Sequence, residues 1–330
     1  MFREAGLEIS GIAGHDKTKT KRVADELGVE AFDDWRALVS SPQIDVVTIT
    51  TPPSEHLQMA TAALDNRKHV VSEKPTALNA AEAEQLVAVA GRHPDLIAII
   101  DHELRFLPSF RTARQRIKDL GGLRYVEVRY ASPGRGDRTR EWNWWSDAEL
   151  GGGIWGAVGS HFVDSIRYLG FEIDEVQAML TAIIAERPHG NEKRRVTSDD
   201  LASVHLRLRG GAVGAMTMSA VAAGPDEPSV ITFHGELGAM RLVGEELLMS
   251  KPRESFARVA GADLQKLPGN SPGGAFGTGT FLLGKALRAA LEGNRDAIAP
   301  AATFQDGLAQ QQVLDAARRS NRNAGRWERV

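Results

Sequence analysis

The sequence predicts an α/β protein in two halves. Residues 1–101 form a parallel sheet with flanking helices, and residues 102–330 an α+β half built on a large, mostly antiparallel open sheet. Three observations predict this. Between Leu7 and Ile100, short β-rich runs alternate with helix-length amphipathic segments, the rhythm of βαβ units and a parallel sheet. Beyond Leu169 the signals are mostly strands joined by tight turns, clearest in Leu201–Arg209 and Ala212–Val221 on either side of Gly210-Gly211. A chain of 330 residues, 42% hydrophobic and 25% charged, also has the apolar surface to bury more than one core.

Taken in order, Leu7–Ala13 alternates like a strand. Asp16 can cap a helix that carries Val23, Ala24 and Leu27 and ends at Gly28. Asp34–Ser41 is a short helix, and Ile44–Thr50 a strand bounded by Pro42 and by Pro52-Pro53. Ser54–Asn66 reads as helix, His69–Ser72 as strand, and Asn79–Arg92 as a helix opened by the capping box Asn79-Ala80-Ala81-Glu82. Leu96–Ile100 is a buried strand. Pro108 starts a helix that runs through Leu120 and stops at Gly121-Gly122. Tyr125–Ala131 is a strand, followed by a long loop holding Trp142, Trp144 and Trp145. Gly151-Gly152-Gly153 leads into a helix from Ile154 to Leu169, and Val230–His234, Ala239–Val243 and Leu247–Ser250 are further strands. Pro252 to Gly279, rich in Gly and Pro, reads as an irregular loop over a site. Two helices close the chain, the second signalled by Thr303-Phe304-Gln305-Asp306.

A formal net charge of −3 and a pI of about 6.3 give no electrostatic case for nucleic acid or an anionic membrane as partner. The absence of cysteine excludes disulfides, thiolate zinc sites and a cysteine nucleophile, and no metal site is expected. No apolar run reaches the ~18 residues of a membrane span and no signal-peptide pattern opens the chain, so a cytoplasmic protein is expected.

The chemistry concentrates in Val70-Val71-Ser72-Glu73-Lys74-Pro75-Thr76-Ala77. Pro75 has no N–H to donate and stops the ladder. Glu73 and Lys74 are therefore presented at the carboxyl end of a strand, where open α/β sheets bind their ligands. A Glu-Lys pair elsewhere is ordinarily a solvated surface pair. Its place between a buried strand and a capped helix argues for a site.

Three further pieces stand in order with it: Thr51-Pro52-Pro53-Ser54-Glu55-His56, Arg105-Phe106-Leu107-Pro108, and Gly159-Ser160-His161-Phe162-Val163-Asp164 within Gly151–Gly170. Together they resemble the glucose–fructose oxidoreductase / inositol dehydrogenase / rhizopine-catabolism (Gfo/Idh/MocA) family over essentially the whole chain. The resemblance implies a Rossmann domain that binds NAD(P) and a C-terminal domain whose open sheet carries the small-molecule substrate. That sheet commonly forms the oligomer contact, so a homodimer or homotetramer is expected. The implied chemistry is hydride exchange between the nicotinamide and a sugar, a cyclitol or a similar hydroxyl or carbonyl carbon.

Two departures accompany the resemblance. The family's Gly-rich phosphate loop and the first strand before it are missing: Met1–Gly6 reads as the tail of the helix that follows the loop, and Leu7 begins the second strand. The expectation is that the loop is encoded upstream of a misplaced start codon and that the chain as given binds dinucleotide poorly. A vacant lane should then separate Leu7–Ala13 from Ile44–Thr50, with no direct hydrogen bonding between them. The second departure is Ala157, which stands where the family usually has an acid four residues before its histidine. Glu103 or His102, in Asp101-His102-Glu103-Leu104-Arg105-Phe106, either supplies the missing polarity or fixes the interdomain joint.

On this resemblance Lys74 and His161 are the catalytic residues. His161 takes the substrate hydroxyl proton, an imidazole of pKa ~6.5 serving as base and as acid, or else is a core histidine. Lys74 hydrogen-bonds the substrate oxygen or the nicotinamide ribose. Thr51, Pro52, Pro53, His56, Glu73 and Lys74 line the cofactor cleft, with Glu73 orienting the loop and His56 equally read as structural. Gly14 and His15 sit at the tip after the second strand, where an acid ordinarily holds the ribose 2′-hydroxyl. Its lack, beside His15 and Lys17, tilts the cofactor from NAD slightly toward NADP. Substrate contacts fall to Glu103, Arg105, Trp145 and His161. Arg105 either anchors a substrate group or pairs with an acid, and Trp142, Trp144 and Trp145 form a sugar-stacking wall or are buried beneath the second domain. The leading function is an NAD(P)-dependent oxidoreductase of a polyhydroxylated small molecule. The alternatives are a catalytically silent ligand-binding relative, motivated by Ala157 and the absent loop, and redox-neutral chemistry with retained nucleotide.

Overall fold

Short β-branched runs bounded by proline build the parallel core of the first half. The computed structural model describes residues 1–260, 267 and 273–330. The chain begins with β1 (Gly11–Ile12), α1 (Lys17–Leu27), β2 (Glu30–Ala31) and α2 (Trp35–Ser40). It continues through β3 (Val46–Ile49), α3 (His56–Asp65), β4 (His69–Ser72), α4 (Ala80–Gly91) and β5 (Ala98–Ile100). Three of these helices start where a side-chain oxygen accepts from the first turn: Asp16 from Lys19, Asp34 from Arg36 and Ala37, Asn79 from Glu82. The Asn79 box is half made, because the Glu82 carboxylate accepts from the Leu78 N–H at 3.1 Å instead of from its cap. β3, β4 and β5 pair in parallel and bury Val47, Ile49, Val70 and Ile100 with Leu64 and Leu86 of the helices.

Leu7–Ala13 is strand only over Gly11–Ile12 and pairs in parallel with β2. The sequence reading missed β2 because Glu30-Ala31 is exposed and carries no β-branched or apolar pattern. β1 and β2 form a sheet of their own, and no ladder joins β1 to β3.

The second half opens with a 3-10 turn at Glu103–Phe106 and α5 (Pro108–Arg116), which tightens into 3-10 at Ile117–Leu120 where the sequence predicted continued α-helix. After β6 (Leu123–Ala131) comes α6 (Ser160–Tyr168). It is entered through a π-helical turn at Trp155–Gly159, a departure from the uniform helix expected over Ile154–Leu169. Then follow β7 (Ile173–Thr181), the hairpin of β8 (Glu186–His189) and β9 (Glu192–Arg195), β10 (Leu201–Leu208) and β11 (Val213–Ser219). β12 (Val230–Gly235), β13 (Ala239–Val243), β14 (Glu246–Ser250) and β15 (Ala257–Arg258) continue the run. α7 (Gly274–Leu291), β16 (Ala302–Thr303), α8 (Phe304–Arg322) and β17 (Glu328–Arg329) complete the chain. The irregular loop expected over Pro252–Gly279 is therefore shortened at both ends, by β15 and by the first turns of α7. Its residues 261–266 and 268–272 lie outside the described residues.

Among the described residues, nine strands make one open sheet in the order β15-β14-β13-β12-β6-β11-β10-β7-β17. Its ladders are antiparallel except β6–β11. Period-two alternation assigns the faces: in β10 Ala202, Val204, Leu206 and Leu208 are buried while His205 and Arg207 are exposed. The buried face packs with Phe162, Val163 and Ile166 of α6 and with Val313 and Leu314 of α8. The start of α8 returns to the first half, where β16 pairs with β5 and Ala302 and Phe304 join the core of the parallel sheet. The parallel Rossmann-type sheet and the large, mostly antiparallel sheet expected from the sequence are both present. No helix among the described residues is long and apolar enough to cross a membrane.

Candidate functional site

Strands that run the same way end on the same edge, so the segments after β3, β4 and β5 gather at one side of the parallel sheet. They carry Thr51–His56, Glu73–Thr76 and Asp101–Arg105. The Lys74–Pro75 peptide there is cis. Lys74 Nζ donates to the Ala157 carbonyl at 3.0 Å and stands 3.8 Å from Glu73 Oε2. Ala157 lies in the π-helical turn that runs directly into α6 and His161. A lysine of the first half thus touches the helical segment that bears the imidazole of the second.

His161 is buried, and burial together with the charge of Lys74 and the neighbouring His102 holds its pKa well below the ordinary histidine value. The ring is neutral at pH 7. Among the described residues its Nδ1 has no hydrogen-bond partner, and it lies 3.6 Å from Glu103 Oε2. His102 meets it edge-on at 5.6 Å between centroids, and Phe276 of α7 lies at 4.9 Å. α7 approaches this closely because residue 279 is glycine: a Cβ there would stand 2.6 Å from the Glu103 carbonyl oxygen. Phe276 and Gly279 fall in the stretch read as loop. Its many glycines are poor helix formers. The spacing of Leu283, Leu287 and Ala290 was the available signal for α7, but not for where it starts.

The acids around this point are strongly perturbed. Burial, and next the charge of Glu73, push Asp101 up to about 7 against the pull of Lys74. Burial and then Asp101 raise Glu103 well above the usual carboxylate range. Among the described residues, Asp101 Oδ1 and both ring nitrogens of His102 are buried without partners.

Other predicted residues are placed differently. Arg105, one reading of which was a substrate anchor, is clamped: Nε donates to Asp164 Oδ2 at 2.8 Å and Nη2 to Asp164 Oδ1 at 2.6 Å. Nη2 also lies 3.3 Å from Asp306 Oδ1. Its guanidinium is buried and taken by two carboxylates, so it ties α6 and α8 to the interdomain turn. His56 is fully buried, with Nδ1 3.1 Å from the Pro75 carbonyl and Nε2 2.9 Å from the Thr51 carbonyl. It braces the two loops from behind and does not line a cleft. Pro53 is buried against Gly151, where φ is +84° and a Cβ would come within 2.6 Å of the proline ring. Thr51, Pro52 and Glu73 are half-buried. Gly14 and His15 are exposed in the turn before α1. The Arg135 guanidinium covers one face of Trp145 at 3.8 Å, and Arg194 covers one face of Trp142 at 3.5 Å. The structure therefore brings together Glu73, Lys74, Asp101, His102, Glu103 and His161. Among the described residues, Gly14, His15 and Trp145 make no hydrogen bond, ion pair or ring contact with that group.

A parallel α/β half coupled to a large open, mostly antiparallel sheet, with polar groups gathered at the ends of the parallel strands, defines a mixed α/β protein with a Rossmann-like first half. The family model described as "Oxidoreductase family, NAD-binding Rossmann fold" matches residues 1–100, and the one described as "GFO/IDH/MocA C-terminal domain" matches residues 110–241. Glucose-fructose oxidoreductase domain-containing protein 2 of Xenopus laevis is 30% identical over 100% of this chain and 89% of its own length. An oxidoreductase domain protein from Kribbella flavida superposes with a TM-score of 0.85 at 26% identity, over 100% of this chain and 94% of that one. Levoglucosan dehydrogenase, solved in complex with NADH and levoglucosan, shares the fold with a TM-score of 0.83 at 24% identity, over 97% of this chain and 90% of that one. The chain belongs to the Gfo/Idh/MocA oxidoreductase family.

Proposed function

We propose that this protein is an NAD(P)-dependent oxidoreductase that moves a hydride between the nicotinamide and a carbon of a sugar, cyclitol or related polyhydroxylated molecule. The observation that carries the reading is the meeting of Lys74, from the loop after β4, with the helical segment of the second half that bears His161. Half-buried Thr51, Pro52 and Glu73 at the carboxyl ends of β3 and β4, with the unpartnered Asp101 Oδ1 nearby, fit a polar ligand ring and its ribose. The dinucleotide, when bound, supplies the hydride acceptor or donor. Neutral His161 takes the substrate hydroxyl proton as negative charge develops on that oxygen. Lys74 gives one of its three N–H groups to Ala157 and has others to direct at the same oxygen, stabilising the charge. Glu73, 3.8 Å away, holds the ammonium at the strand end.

Two finer points belong to the same reading. Exposed His15 and Lys17, with glycine at position 14 in place of a carboxylate, support a preference for NADP. Met179 and Val213, 54% and 48% exposed on strands of the large sheet, support a homodimer or homotetramer through that sheet. The test is a screen of sugars and cyclitols with saturating NAD+ or NADP+, on the chain extended ahead of residue 1 by a Gly-rich phosphate loop and its strand, following nicotinamide reduction. Turnover, with the lower KM for NADP+, is the expected outcome. Nucleotide binding without turnover across the panel would point to a silent relative, and product without net reduction to redox-neutral chemistry.

A further inference from the structure

We infer that Glu103 is the positioning residue for His161, accepting a hydrogen bond from its Nδ1–H and so leaving the Nε2 lone pair for the substrate proton. This rests on the reading of His161 as the base. Among the described residues the buried Nδ1 has no hydrogen-bond partner, and a carboxylate oxygen, Glu103 Oε2, faces it 3.6 Å away. A small side-chain rotation closes that separation to the ~2.9 Å of an N–H···O bond, and such contacts commonly tighten when a substrate binds.

The other groups around the ring do not serve. Lys74 only donates, and it already engages the Ala157 carbonyl. Ala157, one turn back on the same helical segment, has no side-chain acceptor. Asp164, nearly one turn ahead, is committed to Arg105 through both oxygens. Phe276 is apolar, and His102 presents its ring edge-on at 5.6 Å.

Glu103 itself is held in place. Its backbone lies in the 3-10 turn after β5, and α7 is pressed against it at Gly279, where a Cβ would meet the Glu103 carbonyl oxygen at 2.6 Å and its Cγ at 2.8 Å. A carboxyl group offers an acceptor oxygen whether protonated or ionised. The Nδ1–H tautomer follows when Glu103 turns an acceptor oxygen to the ring, whereas a protonated carboxyl that donated its O–H to Nδ1 would fix the Nε2–H form, so the tautomer itself tests the contact. No covalent step is required of Glu103.

The test is 15N NMR of histidine-labelled protein without substrate, on wild type, Glu103→Gln and Glu103→Met, with kinetics alongside. Wild-type His161 is expected as the Nδ1–H tautomer. Glu103→Gln, whose amide oxygen still accepts, should keep that tautomer and turn over within about tenfold of wild type. Glu103→Met should lose the tautomer preference and lower kcat by about 10²-fold or more, with little change in KM. An Nε2–H tautomer in the wild type, or an unchanged tautomer in Glu103→Met, would overturn the inference. The NMR result needs no turnover. An inactive wild type with the Nδ1–H tautomer would therefore count against the oxidoreductase reading and not against the Glu103 contact.

Discussion

Two buried polar clusters begin two residues apart on the same 3-10 turn and are built on opposite terms. Arg105 divides its guanidinium between Asp164 of α6 and Asp306 of α8, and Asp306 also closes the capping box with Thr303. Burial by itself would lower the Arg105 pKa, yet Asp164 and Asp306 hold it above its ordinary value. Around Glu103, by contrast, Glu73, Asp101 and Glu103 surround the ammonium of Lys74, and among the described residues Asp101 Oδ1 and His161 Nδ1 have no hydrogen bonds. Folding ordinarily satisfies buried polar groups. The saturated cluster is explained by the two helices it fastens. The unsaturated one is in keeping with the site proposed above, since strongly perturbed groups concentrate where chemistry is done.

The contrast predicts different consequences for substitution. Arg105→Met leaves Asp164 buried without its cation and should destabilise the protein by about 3–5 kcal/mol, read from urea unfolding. Arg105→Met combined with Asp164→Leu should recover part of that loss. A single-variant effect below about 1 kcal/mol would mean that the saturated cluster fastens nothing.

Lys74→Met should do the reverse. Its side chain is 21% exposed, so stability should change by no more than about 1 kcal/mol while kcat/KM falls by about 10²–10⁴-fold. The His161 pKa should rise toward its ordinary value once that charge is gone. A kcat/KM left intact would remove the unsaturated cluster from the reaction.

The smallest effect is a slope. Asp101 titrates near 7 in the folded chain against 3.8 for a free aspartate, so across that window the native state binds more protons than the unfolded state. Stability from this group is full below about pH 4 and is lost as pH rises toward 7. Asp101→Asn should flatten that loss, and Lys74 limits its size. A steeper fall in the variant's unfolding free energy between pH 4 and 7 would contradict the assignment.

Much of the fold, and half of the site, was legible along the chain. The strand His69–Ser72, the caps at Asp16 and Asn79, and the helix start signalled by Thr303-Phe304-Gln305-Asp306 come from signals spanning a few residues, and each stands where it was read, while Asp34, read as the first residue of a helix, proves to be its cap. Lys74 was legible for the same reason: a buried run stopped by proline presents whatever precedes the stop. The partners of Arg105 and His161 were not. Arg105 and Asp164 are 59 positions apart, and no periodicity links them. Whether an arginine grips a substrate or a helix, and which oxygen faces an imidazole, depends on how α6, α7 and α8 pack against one short turn. That packing turns on distances as small as the gap left by the missing Cβ of Gly279. Local composition sets what each segment becomes, while the identity of a buried charge's neighbour emerges only when distant segments compete for the same space.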